Sequence, residues 1–97
     1  MTWSFPIPPD AAVITTTYVT RDRLPILRVT REEGENGEDD WQFHCGNGDY
    51  QPAKLQLVRL DELVALDPTL VAVAELHVGY VARRASVAAP WTFSLER

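Results

Sequence analysis

The sequence predicts an α+β domain, with an antiparallel or mixed sheet of about five to six strands and two short consecutive helices packed on one face. Three observations support this fold class. Strand-like runs dominate the chain before residue 60, two helix-start signals follow close together, and alternating runs return near the end. At 97 residues the chain is large enough for one hydrophobic core and too small for two.

Residues 1–12 are rich in proline and are predicted to form an extended arm ahead of a single domain at residues 13–97. The apolar side chains Trp3, Phe5 and Ile7 alternate along this arm, and prolines stand at positions 6, 8 and 9. Proline fixes φ and has no backbone N–H, which disfavours a helix here. The aromatic rings either pack on the edge of the domain or remain available to a partner, and we expect packing.

Three strands are predicted in the first half of the domain. The run from Val13 to Thr20 is dense in β-branched residues, whose stiff side chains suit a pleated surface. The segment from Ile26 to Glu33 alternates apolar and polar residues, as a strand with one wet face does. In the third strand Trp41, Phe43 and Cys45 share the core-facing side. An Asn-Gly step at positions 36 and 37 favours a hairpin between the second and third strands.

A fourth strand, two abutting helices and two closing strands are predicted in the second half. Two short helices occupy Asp61 to Leu76, because Asp61 is a suitable N-cap and Asp67-Pro68 provides a second start signal. The strand candidates are Lys54 to Leu60, Val78 to Ser86 and Trp91 to Leu95.

The composition of the chain excludes some classes of partner and location. A net charge of -5 and a pI of about 4.8 argue against nucleic acid, which needs clustered Lys and Arg. Arg83 and Arg84 come closest to a basic patch and are predicted to lie on strand or loop surface. A single cysteine and the lack of an export signal indicate a cytoplasmic protein. No apolar run approaches the ~20 residues of a membrane span, and we expect a monomer or weak homodimer.

Six carboxylates stand between Glu32 and Asp40 with no basic residue among them, so the acidity of the chain is mostly local to this loop. Two interpretations are open. The loop is either a solvated turn that prevents edge-to-edge association, or an electrostatic handle that speeds encounter with a basic protein. The candidate partner-binding residues lie in this loop and in the loop after the third strand: Glu35, Glu38, Asp39, Asp40, Trp41, Asp49 and Tyr50.

The sequence predicts no catalytic, metal or cofactor site. The carboxylate spacing does not match a calcium loop, which closes with a bidentate glutamate. His44 and Cys45 are neighbours on a strand and therefore point to opposite faces. A small hydrolase that pairs Cys45 with His77 is an alternative, and we favour a buried structural thiol over it.

A series of short motifs runs through the chain in a characteristic order. They are Ile14-Thr15-Thr16, Pro25-Ile26, Asp40-Trp41-Gln42-Phe43, Leu60-Asp61-Glu62-Leu63, Leu66-Asp67-Pro68-Thr69-Leu70, Gly79-Tyr80-Val81-Ala82-Arg83 and Pro90-Trp91. This order resembles a bacterial family of small domains of formerly unknown function, grouped with immunity proteins of polymorphic toxin systems. The family tends to place a leucine and a proline before its glycine, where this chain has Leu76-His77-Val78-Gly79.

The resemblance implies a non-enzymatic protein that binds and blocks a toxin domain, and it transfers no catalytic residues. It covers about Val13 to Trp91, which is most of the chain. A different class of function is also open, namely an accessory or regulatory domain with no toxin involved.

Overall fold

A computed structural model describes residues 3–49 and 51–95 and shows an α+β fold with a six-stranded mixed sheet, as predicted. The strands are β1 (Ala12–Thr16), β2 (Arg28–Glu33), β3 (Asp39–His44), β4 (Leu55–Arg59), β5 (Tyr80–Arg83) and β6 (Thr92–Leu95). The helices are α1 (Thr17–Thr20) and α2 (Leu60–Leu66), with 3₁₀ turns at Pro52–Lys54 and Pro68–Val73. The strand order is β4-β1-β3-β2-β5-β6. Strands β1 and β3 run parallel, and the other neighbours run antiparallel.

One face of the sheet carries the hydrophobic core. Val29 lies opposite Phe43 on one neighbouring strand and opposite Ala82 on the other, and all three side chains are fully buried. They form one cluster with Leu63 of α2 and Leu70 of the second 3₁₀ turn. The helical segments therefore cover this face, and the predicted inward side of the third strand is confirmed.

The opposite face carries no helix, yet several of its residues are buried. Thr30 and Val81 are paired across β2 and β5, and they are 6% and 0% exposed. His44 on β3 is 2% exposed. The expectation that β2 keeps one wet face is therefore wrong at Thr30.

The residues before β1 join the core. Phe5 is 6% exposed, and its ring meets the Trp41 ring edge-on at a centroid distance of 5.4 Å. Trp3 stacks at a tilt on Phe5, and its Nε1 donates to the Ile7 carbonyl at 2.6 Å. Of the two alternatives, the structure shows that these side chains pack on the domain. Met1 and Thr2 lie outside the described residues.

The first predicted strand is too long, because the chain turns into a helix after Thr16. The Thr17 carbonyl accepts from Arg21 N at 2.8 Å, which closes the helical turn of α1. This turn buries Val19 at 4% exposure. Burial of one valine in the core has therefore overridden the β propensity of its neighbours.

The two predicted helical segments are present, although Asp61 is not the N-cap of the first. Helix α2 begins at Leu60 with Arg59 as its N-cap, and Asp61 lies in the first turn, where it pairs with the Arg59 guanidinium. The second start is confirmed, since Asp67 Oδ1 accepts from Thr69 N at 3.0 Å. That segment is 3₁₀ rather than α.

The prediction that Arg84 lies on strand or loop surface is wrong. Its side chain is buried, with only 1% exposed. Nε and Nη2 both donate to the Ile26 carbonyl, at 3.0 and 2.9 Å. Nη2 also pairs with Asp67 Oδ2 at 2.7 Å, while Nη1 donates to Thr69 Oγ1 and the Val87 carbonyl. One guanidinium thus joins the segment before β2, the second 3₁₀ turn and the loop after β5.

Candidate functional site

The acidic loop is the tip of a rigid hairpin formed by β2 and β3. Their register runs through six pairs, from Arg28 opposite His44 to Glu33 opposite Asp39. The turn is closed by Gly34 N, which donates to the Glu38 carbonyl at 2.8 Å. Gly37 has a φ of +81°, a left-handed conformation that glycine adopts without strain. The hairpin predicted at the Asn-Gly step is confirmed.

Two pairs of carboxylates face each other across this hairpin. Glu32 lies opposite Asp40 on the helix-free face, and Glu33 lies opposite Asp39 on the core side. Like charges directly opposite each other destabilise a strand pair. The hairpin therefore keeps an arrangement that is unfavourable for its own stability.

Arg31 offsets one of these pairs. Its Nε and Nη2 donate to the two Asp39 oxygens at 2.9 Å each, and its Nη1 donates to the Leu76 carbonyl at 2.8 Å. Its guanidinium also lies 5.0 Å from the centre of the Trp41 ring. Asp39 is therefore a structural partner of Arg31, and only 28% of its side chain is exposed.

The remaining acidic side chains differ in their surroundings. Glu38 is exposed and accepts from Asn36 N at 2.9 Å, and Asp40 is half-buried and accepts from Gln42 Nε2 at 3.2 Å. Glu32, Glu33 and Glu35 are exposed and make no ion pair with any residue in 3–49 or 51–95. The charge available to a partner is thus concentrated on these three glutamates and Glu38.

Trp41 is part of the core and does not reach the surface. It is 1% exposed, and its ring stacks on Phe43 at an interplanar angle of 12°. The alternation of β3 predicts this inward direction, which conflicts with its inclusion among the partner-binding residues. We therefore do not count Trp41 as a contact.

The second predicted loop is held by Asp49. Its Oδ2 accepts from the Tyr18 hydroxyl at 2.5 Å, and its Oδ1 accepts from Gln51 N at 3.1 Å. The hydrogen bond from Tyr18 lowers the pKa of Asp49, and the same bond raises the pKa of Tyr18. Asp49 thus anchors the loop to α1, an arrangement that sequence spacing did not reveal. Tyr50 lies outside the described residues.

The cysteine–histidine pair of the hydrolase alternative is not formed. Cys45 is 8% exposed and follows the end of β3 beside Leu27, whose N–H donates to the His44 carbonyl. His77 is exposed and lies by the other end of β2, near Arg31. Four residues of strand separate those ends, about 13 Å. Cys45 and His77 are therefore too far apart to act as nucleophile and base.

A row of polar side chains runs along β3 on the helix-free face. Gln42 donates to Asp40 and shares a 2.9 Å hydrogen bond with His44 Nε2 through its Oε1. Since Gln42 Oε1 can only accept, His44 Nε2 carries the proton. Burial lowers the pKa of His44, and the charge of Arg28 opposite it adds to the shift. His44 is therefore neutral at pH 7.

Among residues 3–49 and 51–95, no cluster of three or more His, Cys, Asp or Glu side chains is arranged to hold a metal ion. No helix in this part of the chain is long and apolar enough to cross a bilayer. Comparison of the chain with protein-family models, with curated proteins and with solved structures found no match.

Proposed function

We propose that this domain is a non-enzymatic binding module of the immunity type, which binds a basic toxin domain through the β2–β3 hairpin. The observation that carries the proposal is the position of Glu32 directly opposite Asp40, because neither carboxylate makes an ion pair with another residue in 3–49 or 51–95. This opposition of like charges costs stability in the free protein. Cations of a partner would relieve the repulsion, so binding would restore part of the lost stability.

The regular backbone of the hairpin supports the same proposal. A ladder of six residue pairs and the closed turn fix the main chain from which the exposed glutamates project. Little main-chain freedom is therefore lost when such a surface binds, which favours affinity. The clustering of negative charge also favours fast encounter with a positively charged protein.

Co-expression with the toxin encoded beside the gene, followed by pull-down, tests the proposal. We expect a stable complex and protection of the cells from the toxin. No complex and no protection would refute it. A gene neighbourhood without any secreted multidomain toxin would favour the accessory or regulatory alternative.

A charge variant tests the role of the hairpin. Replacing Glu32, Glu33 and Glu35 with glutamine removes three charges. At about 10 Å from a partner cation each is worth roughly 0.4 kcal/mol in water. We expect association to slow about eightfold at low ionic strength and less than twofold at about 0.15 M salt, where screening is strong. Stopped-flow fluorescence at several salt concentrations measures these rates.

The matched control replaces Asp10, Asp22 and Glu75, three exposed acids outside the hairpin, with their amides. It changes the net charge of the chain equally. We expect the hairpin variant alone to slow association strongly and also to unfold at slightly higher denaturant, because the opposed carboxylates are gone. Equal effects of the two variants on the rate would show that net charge, rather than the hairpin, guides association.

A further inference from the structure

Strand β4 is an open edge of the sheet with an unusually apolar surface. It pairs with β1 on one side, and no described strand lies on the other. Its central residue, Leu57, is 70% exposed, the highest value among the large hydrophobic residues that the structure describes. Edge strands normally carry a charge, a proline or a bulge that prevents pairing with another chain. Strand β4 has no proline, and its one charged residue, Arg59, stands at the end that leads into α2.

The backbone of Leu57 faces away from the sheet. Leu60 N donates to the Ala11 carbonyl at 3.0 Å, which continues the ladder between β4 and β1. Because bonded and non-bonded pairs alternate along antiparallel strands, Val58 and Gln56 direct their N–H and C=O groups toward β1. Leu57 therefore directs both of its groups outward.

The outward donors on either side of Leu57 are already used within the chain. Leu55 N–H donates to the Pro52 carbonyl, and Arg59 N–H approaches Glu62 Oε1 at 3.4 Å. Within this part of β4, Leu57 is therefore the residue whose backbone N–H and C=O can both bond to another strand. A partner strand that also offers the N–H and C=O of one residue matches this arrangement.

We infer that this partner is a second copy of the chain, with β4 paired antiparallel to β4 about a twofold axis at Leu57. Each Leu57 N–H then donates to the Leu57 carbonyl of the other copy, a bonded pair of the kind that antiparallel strands form. The two Leu57 side chains meet on the helix-free face. The contact removes the most exposed leucine from water and joins two six-stranded sheets into one.

The charges beside β4 are compatible with this arrangement. Antiparallel pairing about Leu57 brings Lys54 of one copy toward Asp61 and Glu62 of the other. Arg59 lies opposite the uncharged Leu55 and already pairs with Asp61 at 2.8 Å. The two Arg59 side chains start four residues apart along the strand direction, about 13 Å. The contact is therefore electrostatically balanced, without opposed like charges.

The core side of the edge offers further apolar surface. A groove of about 610 Å³ lies between β4 and α2, lined by Val58, Leu63, Ala65 and Leu66 among others. Leu66 is 48% exposed. In the dimer Val58 of the second copy points to this side of the sheet. The groove thus continues the contact beyond the strand pair, and the inference does not depend on the proposed function of the hairpin.

Sedimentation velocity tests the dimer across about 1 µM to 1 mM, the range in which small interfaces dissociate. We expect a reversible monomer–dimer equilibrium that stops at two copies. Leu57→Lys should raise the dissociation constant at least about tenfold, because two ammonium groups would face each other at the axis. Leu95→Lys, at the other open edge, should leave it unchanged. A monomer at every concentration, or equal effects of both variants, would overturn the inference.

Cysteine substitution tests the register. Two copies of Leu57→Cys would have Cα atoms about 5.5 Å apart, within the range of a disulfide. Two copies of Leu55→Cys would lie about 13 Å apart. We expect a covalent dimer from the first variant and not from the second under mild oxidation, with the wild type, whose Cys45 is buried, as the control. A covalent dimer at position 55 instead of 57 would show a different interface.

Discussion

Replacement of Arg84 by methionine is expected to destabilise the domain strongly. The guanidinium of Arg84 donates five hydrogen bonds to other groups of the protein, and the Arg84 side chain is 1% exposed. Methionine would leave the Asp67 carboxylate, itself only 15% exposed, without its cation. Breaking a buried pair in this way costs about 3–5 kcal/mol.

That loss is a large part of the about 5–15 kcal/mol by which a domain is normally stable. For a chain of 97 residues it corresponds to a fall in Tm of roughly 15 °C or more. Urea unfolding followed by tryptophan fluorescence measures the change, since Trp91 stacks on Arg84 at 4.2 Å. Arg84→Lys should lose less, because an ammonium keeps its attraction to Asp67 but cannot form the fork at the Ile26 carbonyl.

Arg83 provides the control, because it precedes Arg84 and is exposed. We expect Arg83→Met to change the free energy of unfolding by no more than about 0.5 kcal/mol. If Arg84→Met cost less than about 1 kcal/mol, or no more than Arg83→Met, the guanidinium would not be the tie between three segments that the structure shows.

Two further changes test the core and the helix-free face. The unfolded chain binds a proton at His44 more readily than the folded protein does, so the free energy of unfolding should fall as pH drops below about 6.5. His44→Gln should flatten that step in urea titrations at several pH values, and an unchanged step would assign it to another group. Phe5→Ala should cost about 3–5 kcal/mol, whereas Pro6→Ala, at an exposed site, should cost little. A cost below about 1 kcal/mol for Phe5→Ala would mean that the segment before β1 adds little to the core.

The parts of the fold that sequence predicted are those set by local patterning. Alternation placed Trp41 and Phe43 on the core side of β3, and the Asn-Gly step located the β2–β3 turn. Asp67-Pro68 marked a helical start because a carboxylate and a proline act within a few residues of each other. Each of these signals is complete within one short segment of the chain.

The parts that sequence did not predict depend on residues far apart in the chain. Arg84 resembled a surface residue because its partners, the Ile26 carbonyl and the Asp67 carboxylate, are far from it in the sequence. No residue next to Arg84 indicates that it will meet them. Thr17 to Thr20 has strand propensity, but the burial of Val19 decides its conformation. In the candidate site, the number of carboxylates was evident, whereas their pairing across the hairpin and the neutralisation of Asp39 by Arg31 required the register and the structure.

The position of β1 between two strands that follow it in the sequence has a consequence for the order in which the domain is made and folds. β1 lies between β3 and β4, both of which follow it in the sequence. During synthesis the chain must extend to Arg59 before both neighbours of β1 exist. The β2–β3 and β5–β6 pairs are local and close quickly, while β1 needs long loops to close on each side. Of the six strands described, the one that is synthesised first is therefore expected to be among the last to be fully paired.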